Sequence, residues 1–333
     1  MRIKGKKIQI PMIWMAVILL YIASVIKTPA TLSWIQIRNL MKVAPFLGVA
    51  AVGHTFTVLT GGTDLSISWT VTATILICCR VMNFGQGSII AAISIAVSLG
   101  IALGIVKGLV ITKLRIPPMI TSLAVNYVIM GSSLILTGGA TTGRVTKSFQ
   151  VLTDNYIFGI PISFAIFVFV VLILWIIQTK TKFGYEIYAT GANKRAAYVN
   201  GVSPDLTVIK SYVICSLCAV LTGFLLAAYI QIPSFEIGEP YGTNSLAATV
   251  IGGTLMTGGV GGVSGTFGGA IFMTLLVSFL NTFKVPPSIQ LIVRGSIILI
   301  GIWLSSAHAT EVAGNIKFRI SQFRKRSLEN TGS

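Results

Sequence analysis

Ten runs of mostly apolar residues divide this 333-residue chain, and nothing else constrains its fold as much. Inside a bilayer every backbone polar group must find a partner within the chain, which leaves only helices or a closed barrel. A barrel would alternate polar and apolar residues over segments of about ten. Here the runs are continuous, at Ile8–Ile26, Val43–Thr60, Leu65–Met82, Ser88–Thr112, Met119–Leu136, Ile160–Gln178, Asp205–Ile230, Ser245–Leu255, Ser264–Phe283 and Ser288–Ser305. Most match the ~20 residues of a helical crossing. Only 10% of residues are charged, against roughly 25% in soluble domains. No polar stretch is long enough to be a soluble domain. The expectation is an all-α polytopic membrane protein of about ten transmembrane helices, with residues 1–333 forming one domain. The first run lacks a small-residue cleavage site and reads as an anchor.

Two features refine that picture. The run from Ser245 is apolar only to Leu255, before Thr257-Gly258-Gly259-Val260-Gly261-Gly262. It is too short to cross alone, so it enters part-way or is completed by glycine-rich backbone buried in protein. Glycines also recur four apart, at 100, 104 and 108 and again at 261, 265 and 269. Each ladder predicts a smooth groove where a neighbouring helix can come close.

The formal charge of +17 would suggest nucleic acid in a soluble protein; here it reads as topology and no nucleic-acid partner is expected. Basic residues cluster at the N-terminus (Arg2, Lys4, Lys6, Lys7), around 180–210 (Lys180, Lys182, Lys194, Arg195, Lys210) and at the C-terminus (Lys317, Arg319, Arg324, Lys325, Arg326). With ten spans all three clusters fall on one side. The positive-inside rule makes that side cytoplasmic, with both termini, the loop 179–204 and the basic tail 306–333. Lys27, Arg38, Lys42, Arg80, Arg144, Lys147, Lys284 and Arg294 are left on the outer side or in the outer halves of spans.

Motifs for chemistry are missing. No Gly-x-x-x-x-Gly-Lys-Ser/Thr phosphate loop occurs, so the chain does not bind ATP in that way. There is no His-Glu-x-x-His, and of eight acids only Asp64 sits near an apolar core. An enzyme is a poor fit. The four cysteines, Cys78, Cys79, Cys215 and Cys218, lie within apolar runs with no histidine spaced to complete a metal set. They read as packing, with no metal or redox role.

Gradient-driven carriers usually hold ionisable groups inside the membrane. Those counted within or beside the runs are His54, Arg80, Arg294 and Asp64. His54 reads as a hydrogen-bonded interior histidine, and the arginines as side chains that reach toward a surface. A pore with almost no fixed charge suits a neutral polar solute. Two runs end at glycine pairs, in Leu59-Thr60-Gly61-Gly62-Thr63 and Val250-Ile251-Gly252-Gly253-Thr254. Glycine-interrupted segments in two halves of a chain point to a transport pathway. Candidate pathway residues are therefore His54, Thr57, Thr60, Asp64, Asn126, Asn244, Thr249, Gly252 and Gly253, with Thr55 beside them. Hydrogen bonding between helices explains the same hydroxyls and amides equally well.

Between two full-length spans lies a polar island, Phe183–Pro204. Asn193 can cap a short helix, Lys194–Asn200 can form it, and Gly201 can end it in a left-handed turn. Ser203 and Pro204 then open the next helix. A two-turn helix at the membrane surface is placed for another protein to touch.

Three stretches resemble one family. Leu59-Thr60-Gly61-Gly62-Thr63-Asp64-Leu65-Ser66 resembles the threonine-glycine-glycine, aspartate-leucine-serine signature of permeases in ribose/xylose/galactose-type ABC importers. Residues 187–202 resemble that family's cytoplasmic loop, and residues 248–261 its late glycine signature. Ile67-Ser68-Trp69 and the late run at Val260 and Gly262 depart from the usual pattern. The resemblance implies a permease subunit in the bacterial inner membrane, working as a homo- or heterodimer with a second copy or a homologous permease. Its partners would be an ATP-binding subunit and an extracytoplasmic sugar-binding protein. ATP and Mg would sit on that ATPase, with no cofactor on this chain. The resemblance places the ATPase contact on the loop residues Gly191, Asn193, Lys194, Arg195, Ala196, Tyr198 and Gly201. Arg144 and Lys147 are candidates for docking the binding protein. Related architectures carry nucleosides or branched-chain amino acids, and a stand-alone secondary carrier is the reading from a different class.

Overall fold

The computed structural model describes residues 9–83, 89–297 and 299–301, and 79% of the structure is helical. The basic clusters at 2–7 and 317–326, the tail 306–333 and residues 84–87 of the turn after the third run lie outside the described residues. In chain order come α1 (Gln9–Lys27), a 3-10 turn (Pro29–Leu32), α2 (Trp34–Leu59), α3 (Ile67–Met82), α4 (Ile89–Lys113), α5 (Pro118–Thr137) and α6 (Lys147–Asp154). A hairpin of β1 (Tyr156–Ile157) and β2 (Ile160–Pro161) follows, then α7 (Ile162–Lys180), α8 (Lys182–Ala192) and α9 (Lys194–Val199). The chain continues through α10 (Pro204–Ile230), α11 (Glu239–Ile251) and α12 (Val263–Thr282) to an apolar helix at Pro287–Gly301. Six of these helices, α2, α4, α5, α7, α10 and α12, are long and apolar enough to cross a membrane. The protein is an all-α, multi-pass membrane protein.

The central helix is α2, buried from Ala44 to Leu59. Around it Phe46, Phe56, Val71, Ile75, Phe167 and Leu225 join α2, α3, α7 and α10 in one apolar core. The run expected from Val43 in fact begins at Trp34. Its first turns looked like a polar connection because they carry Arg38, Asn39 and Lys42. Those charges have partners: Lys42 pairs with Asp154 at 2.9 Å, and the Arg38 guanidinium lies 5.3 Å from the Tyr156 ring. Ser33 caps the helix through the Gln36 N–H.

Glycine spacing decides how helices meet. A Cβ on Gly104 would stand 2.5 Å from Val213 Cα, and one on Gly108 would stand 2.6 Å from Ile209 Cα, so α4 lies backbone to backbone against α10. The second ladder does the same for α11 and α12, where a Cβ on Gly252 would stand 2.6 Å from the Gly265 carbonyl carbon. Both grooves expected from the sequence are occupied by a helix.

Two of the short helices, α3 and α11, are each completed by a loop that turns into the bundle. With 16 and 13 residues, α3 and α11 span about 24 and 20 Å, less than the ~30 Å hydrocarbon core. After α2 the chain turns back beside it, so that the Asp64 N–H reaches His54. Before α11, residues 231–238 enter from the opposite end, and the Gly238 N–H bonds to Thr72 Oγ1 at 3.2 Å. The short pair is thus α3 and α11, whereas α2, which ends in one of the glycine pairs, is 26 residues long. Both α2 and α11 stop in the same way. Gly61 and Gly253 take left-handed φ values of 79° and 85°. The following N–H groups bond back to Thr57 and Thr249 at 2.9 and 3.1 Å, which satisfies the last carbonyls. The structural repeat therefore matches Thr57-Val58-Leu59 with Thr249-Val250-Ile251. The visible Gly-Gly-Thr pair is out of register by one residue.

Candidate functional site

The three signature stretches, separated by 120 and 45 residues of chain, meet at one end of the bundle. Thr181 caps α8 through the Gly184 N–H, and α8 buries Gly184, Ile187 and Thr190. The end of α8 then presses on two other elements. The Gly259 N–H donates to the Leu59 carbonyl at 2.9 Å, and a Cβ on Gly191 would stand 2.5 Å from that same Gly259 nitrogen. A Cβ on Gly258 would stand 2.8 Å from the Gly61 nitrogen. Only glycine lets these three backbones touch. A polar clasp lies beside them: Gln178 donates to the Tyr188 hydroxyl at 2.8 Å, Tyr188 donates to the Gly261 carbonyl at 2.7 Å, and the Val263 N–H donates to Gln178 Oε1 at 2.9 Å. Burial pushes the Tyr188 phenol up to about 12, so it stays a neutral donor at ordinary pH.

Beyond this joint α9 stands on the surface. Asn193 caps it through the Ala196 N–H at 3.0 Å, and Gly201, at φ 77°, ends it in the left-handed turn. These are the residues that the sequence assigned to cap and stop. Within α9 only Ala197 is buried, with Val202 just beyond it. Lys194, Arg195 and Ala196 face outward with Tyr198 and Val199, which are 72% and 79% exposed. Two large apolar side chains thus stand exposed among basic ones, on a helix too short to be stable alone. The helix α8, with Gly184 and Gly191 inside it, was not anticipated.

The loop after α2 holds the most polar point in the bundle. Lys107 on α4 forms an ion pair with Asp64, and both side chains are fully buried. Lys107 Nζ also donates to Ser66 Oγ at 2.7 Å, and the Ser66 hydroxyl and N–H both donate to Asp64 Oδ1, at 2.6 and 3.0 Å. The ammonium lies 5.9 Å from the Tyr212 ring, whose hydroxyl donates to the Thr63 carbonyl at 3.1 Å. His54 Nε2 accepts the Asp64 N–H at 3.1 Å. A nitrogen that accepts carries no proton, so the proton sits on Nδ1, which faces Ser245 Oγ at 2.9 Å. The Ser245 hydroxyl passes on to the Gly242 carbonyl. One buried network therefore ties α2, α4, α10 and α11 to the loop 60–66.

Lys107 corrects the expectation of a nearly chargeless interior, since it was not among the ionisable groups counted there. The signal was present. Ala92, Ala96, Gly100, Gly104, Lys107, Gly108 and Ile111 are the buried residues of α4, and their spacing puts Lys107 on the glycine ladder's own stripe.

The other candidate residues are spread more widely. Thr57 and Thr60 turn their hydroxyls onto the His54 and Thr57 carbonyls, each at 2.8 Å. Thr249 bonds to the Ser245 and Ala51 carbonyls, and Thr55 meets Thr266 at 2.7 Å. All of these are buried. Gly252 and Gly253 form the end of α11. On α5, Asn126 accepts the Trp69 N–H at 3.2 Å, an otherwise open donor in the first turn of α3. Asn244 alone among the nine lines a cavity of about 820 Å³ at the end away from α8. At that end too, exposed Arg144 donates to Gln231 at 2.9 Å, while Lys147 is exposed at the start of α6. All four cysteines are free and buried. Among the described residues, no group of three His, Cys, Asp or Glu is placed to hold a metal.

A family model described as "Branched-chain amino acid transport system / permease component" matches residues 36–302. The chain is 36% identical to the ribose import permease protein RbsC of Bacillus subtilis over 289 residues, 86% of this chain and 89% of that protein. It is 31% identical to the L-arabinose transport system permease protein AraH of Escherichia coli over 282 residues, 84% of this chain and 85% of that one. The inner membrane ABC transporter permease protein YjfF of E. coli is 30% identical over 268 residues, 78% and 80% of the two chains. No solved structure matches.

Proposed function

The chain belongs to the family of ABC importer permeases that these proteins represent, and from that premise we propose that it is the membrane subunit of an importer for a neutral simple sugar. Energy comes from ATP hydrolysed on a partner subunit, which also holds the Mg. Ten spans run with both termini in the cytoplasm of a bacterium, in its inner membrane. The α8 end then faces the cytoplasm and the α6 end faces out. A sugar-binding protein delivers solute at the α6 end, where Arg144 and Lys147 can meet acidic groups. A second copy, or a homologous permease, completes the transporter.

The observation that carries this reading is the joint between the three signature stretches. A surface helix moves a membrane bundle only if it is rigidly attached, and α8 is attached at two places. Gly191 and Tyr188 link it to the glycine loop before α12 and to the end of α2. Through Gly201 and Pro204, α9 continues directly into α10, whose backbone is locked to α4. Gly191, Asn193 and Gly201 shape this platform, and Lys194, Arg195, Ala196 and Tyr198 meet the ATPase. Closure of the ATPase dimer would tilt α10 and α2 as rigid bodies, exchanging outward and inward openings. The solute's path runs by Asn126 and Asn244. His54, Thr57, Thr60, Asp64, Thr249, Gly252 and Gly253 frame its wall.

Charge reversal of the surface helix tests this directly. In the assembled transporter, K194E/R195E should abolish sugar-stimulated ATP hydrolysis while the chain still inserts in the membrane. Unchanged stimulation would remove the coupling role. The family's own description favours a second substrate reading, a branched-chain amino acid. Binding measurements on the delivering protein, with pentoses, hexoses, nucleosides and leucine, separate these readings.

A further inference from the structure

We propose that the pocket between the α4–α5 connection, the start of α9 and the start of α10 holds the phosphate headgroup of an acidic phospholipid. This rests on the importer reading only for its side of the membrane, which is the cytoplasmic leaflet.

The pocket gathers positive charge that the protein leaves unpaired. Asp205 lines it and is bonded to Lys113 at 3.0 Å, so that acid and that base cancel. Arg115 and Lys194 line it too, and neither makes a hydrogen bond or ion pair with any described residue. Two cations therefore remain without a counter-charge among the described residues. Pro117 and Pro204 set the starts of α5 and α10 against the same space, and neither start is capped by a side chain. The positive ends of two helix dipoles thus add to the two cations.

Size and surroundings say what kind of anion fits. At about 290 Å³ the pocket is just under the ~300–1,000 Å³ of sites that enclose a whole small molecule. It suits the head of a larger molecule whose tails stay outside. Apolar side chains are in place for those tails. Leu114 adjoins Arg115, Met119 and Ile120 follow Pro118 on α5, and Leu206 follows Asp205 on α10; all four are more than half exposed. Basic pockets between membrane helices on the cytoplasmic side are a recurring form of acidic-lipid site.

An acidic side chain of the ATPase is the competing occupant, because Lys194 opens α9 and borders both the pocket and the face proposed for that subunit. A carboxylate would satisfy the two cations but leave the four apolar side chains uncovered, whereas a lipid covers both. The lipid is the better fit.

Lipid retention tests the assignment. The full chain, purified in detergent and offered phosphatidylglycerol or phosphatidylcholine, should hold the acidic lipid in preference, as read by native mass spectrometry. R115Q should weaken that retention about fivefold, the size expected of one basic side chain at an acidic lipid surface. K194Q should do the same, while R115K, which keeps the charge, should retain the lipid as the native chain does. K284Q, which removes an exposed cation beyond the far end of α12, should change nothing. The proposal is overturned if phosphatidylcholine is held equally well or if R115Q retains the acidic lipid like the native chain. It is overturned too if millimolar inorganic phosphate displaces the lipid, which would mean a plain anion site. Expulsion of the lipid when the ATPase subunit docks would also overturn it and give the pocket to that partner. Sugar-stimulated ATP hydrolysis by the assembled, unaltered transporter reports separately on the importer reading. Retention without stimulation leaves the headgroup site standing and removes only its leaflet.

Discussion

Asp64 and Lys107 are each other's necessity. Neither side chain touches water, and an isolated charge there would cost several kcal/mol or more. Removing one partner should therefore destabilise strongly: K107M is expected to cost about 3–5 kcal/mol, because Asp64 is left buried and uncompensated. The double variant D64N/K107M should recover most of that loss, since a neutral pair carries no such penalty. Thermal unfolding in detergent measures both, and additive losses would show that the pair is not coupled. Asp64 could be picked from the sequence because it stands in a glycine-rich turn next to an apolar run. Lys107 could not be picked by position alone. A lysine near the end of a span usually reaches for the surface, and only its phase with Gly100, Gly104 and Gly108 shows that it turns inward.

At the scale of elements, glycine carries most of the structural information. G104V should force α4 off α10, costing about 1–3 kcal/mol from overpacking and lowering the unfolding temperature in detergent. Y188F removes the donor to Gly261 and should cost about 1 kcal/mol by the same measurement, with the larger effect expected on ATPase stimulation. The ladders were legible because their four-residue period is a property of the helix itself. The cap and stop of α9 at Asn193 and Gly201 were legible for the same local reason. What stayed hidden depends on tertiary contact. The first turns of α2 looked like a loop until Asp154 and Tyr156 supplied partners for its cations. The eight-residue α6 buries only Phe149 and Thr153, too little for a pattern to register. The hairpin turn places Phe158 at φ 49° beside Gly159; the glycine suits such a turn, but nothing local marks Phe158 for a left-handed backbone. The two glycine pairs show the opposite error, since the match visible in the sequence is one residue away from the structural one.

Across the whole molecule, the signature stretches at 59–66, 187–202 and 248–261 meet at the α8 end, and the cavity lined by Asn244 lies at the other. The ends are joined by α2, α10 and α12, which pack through the apolar core around α2 and through the close glycine contacts of α10 with α4 and of α12 with α11. In the proposed importer this chain supplies the path and a partner supplies the energy. Uptake into proteoliposomes tests that most directly. With the chain alone, an imposed proton or sodium gradient should drive no accumulation of sugar; adding the ATPase, the binding protein and ATP should start it. Accumulation by the chain alone, with no nucleotide-hydrolysing partner present, would contradict the account.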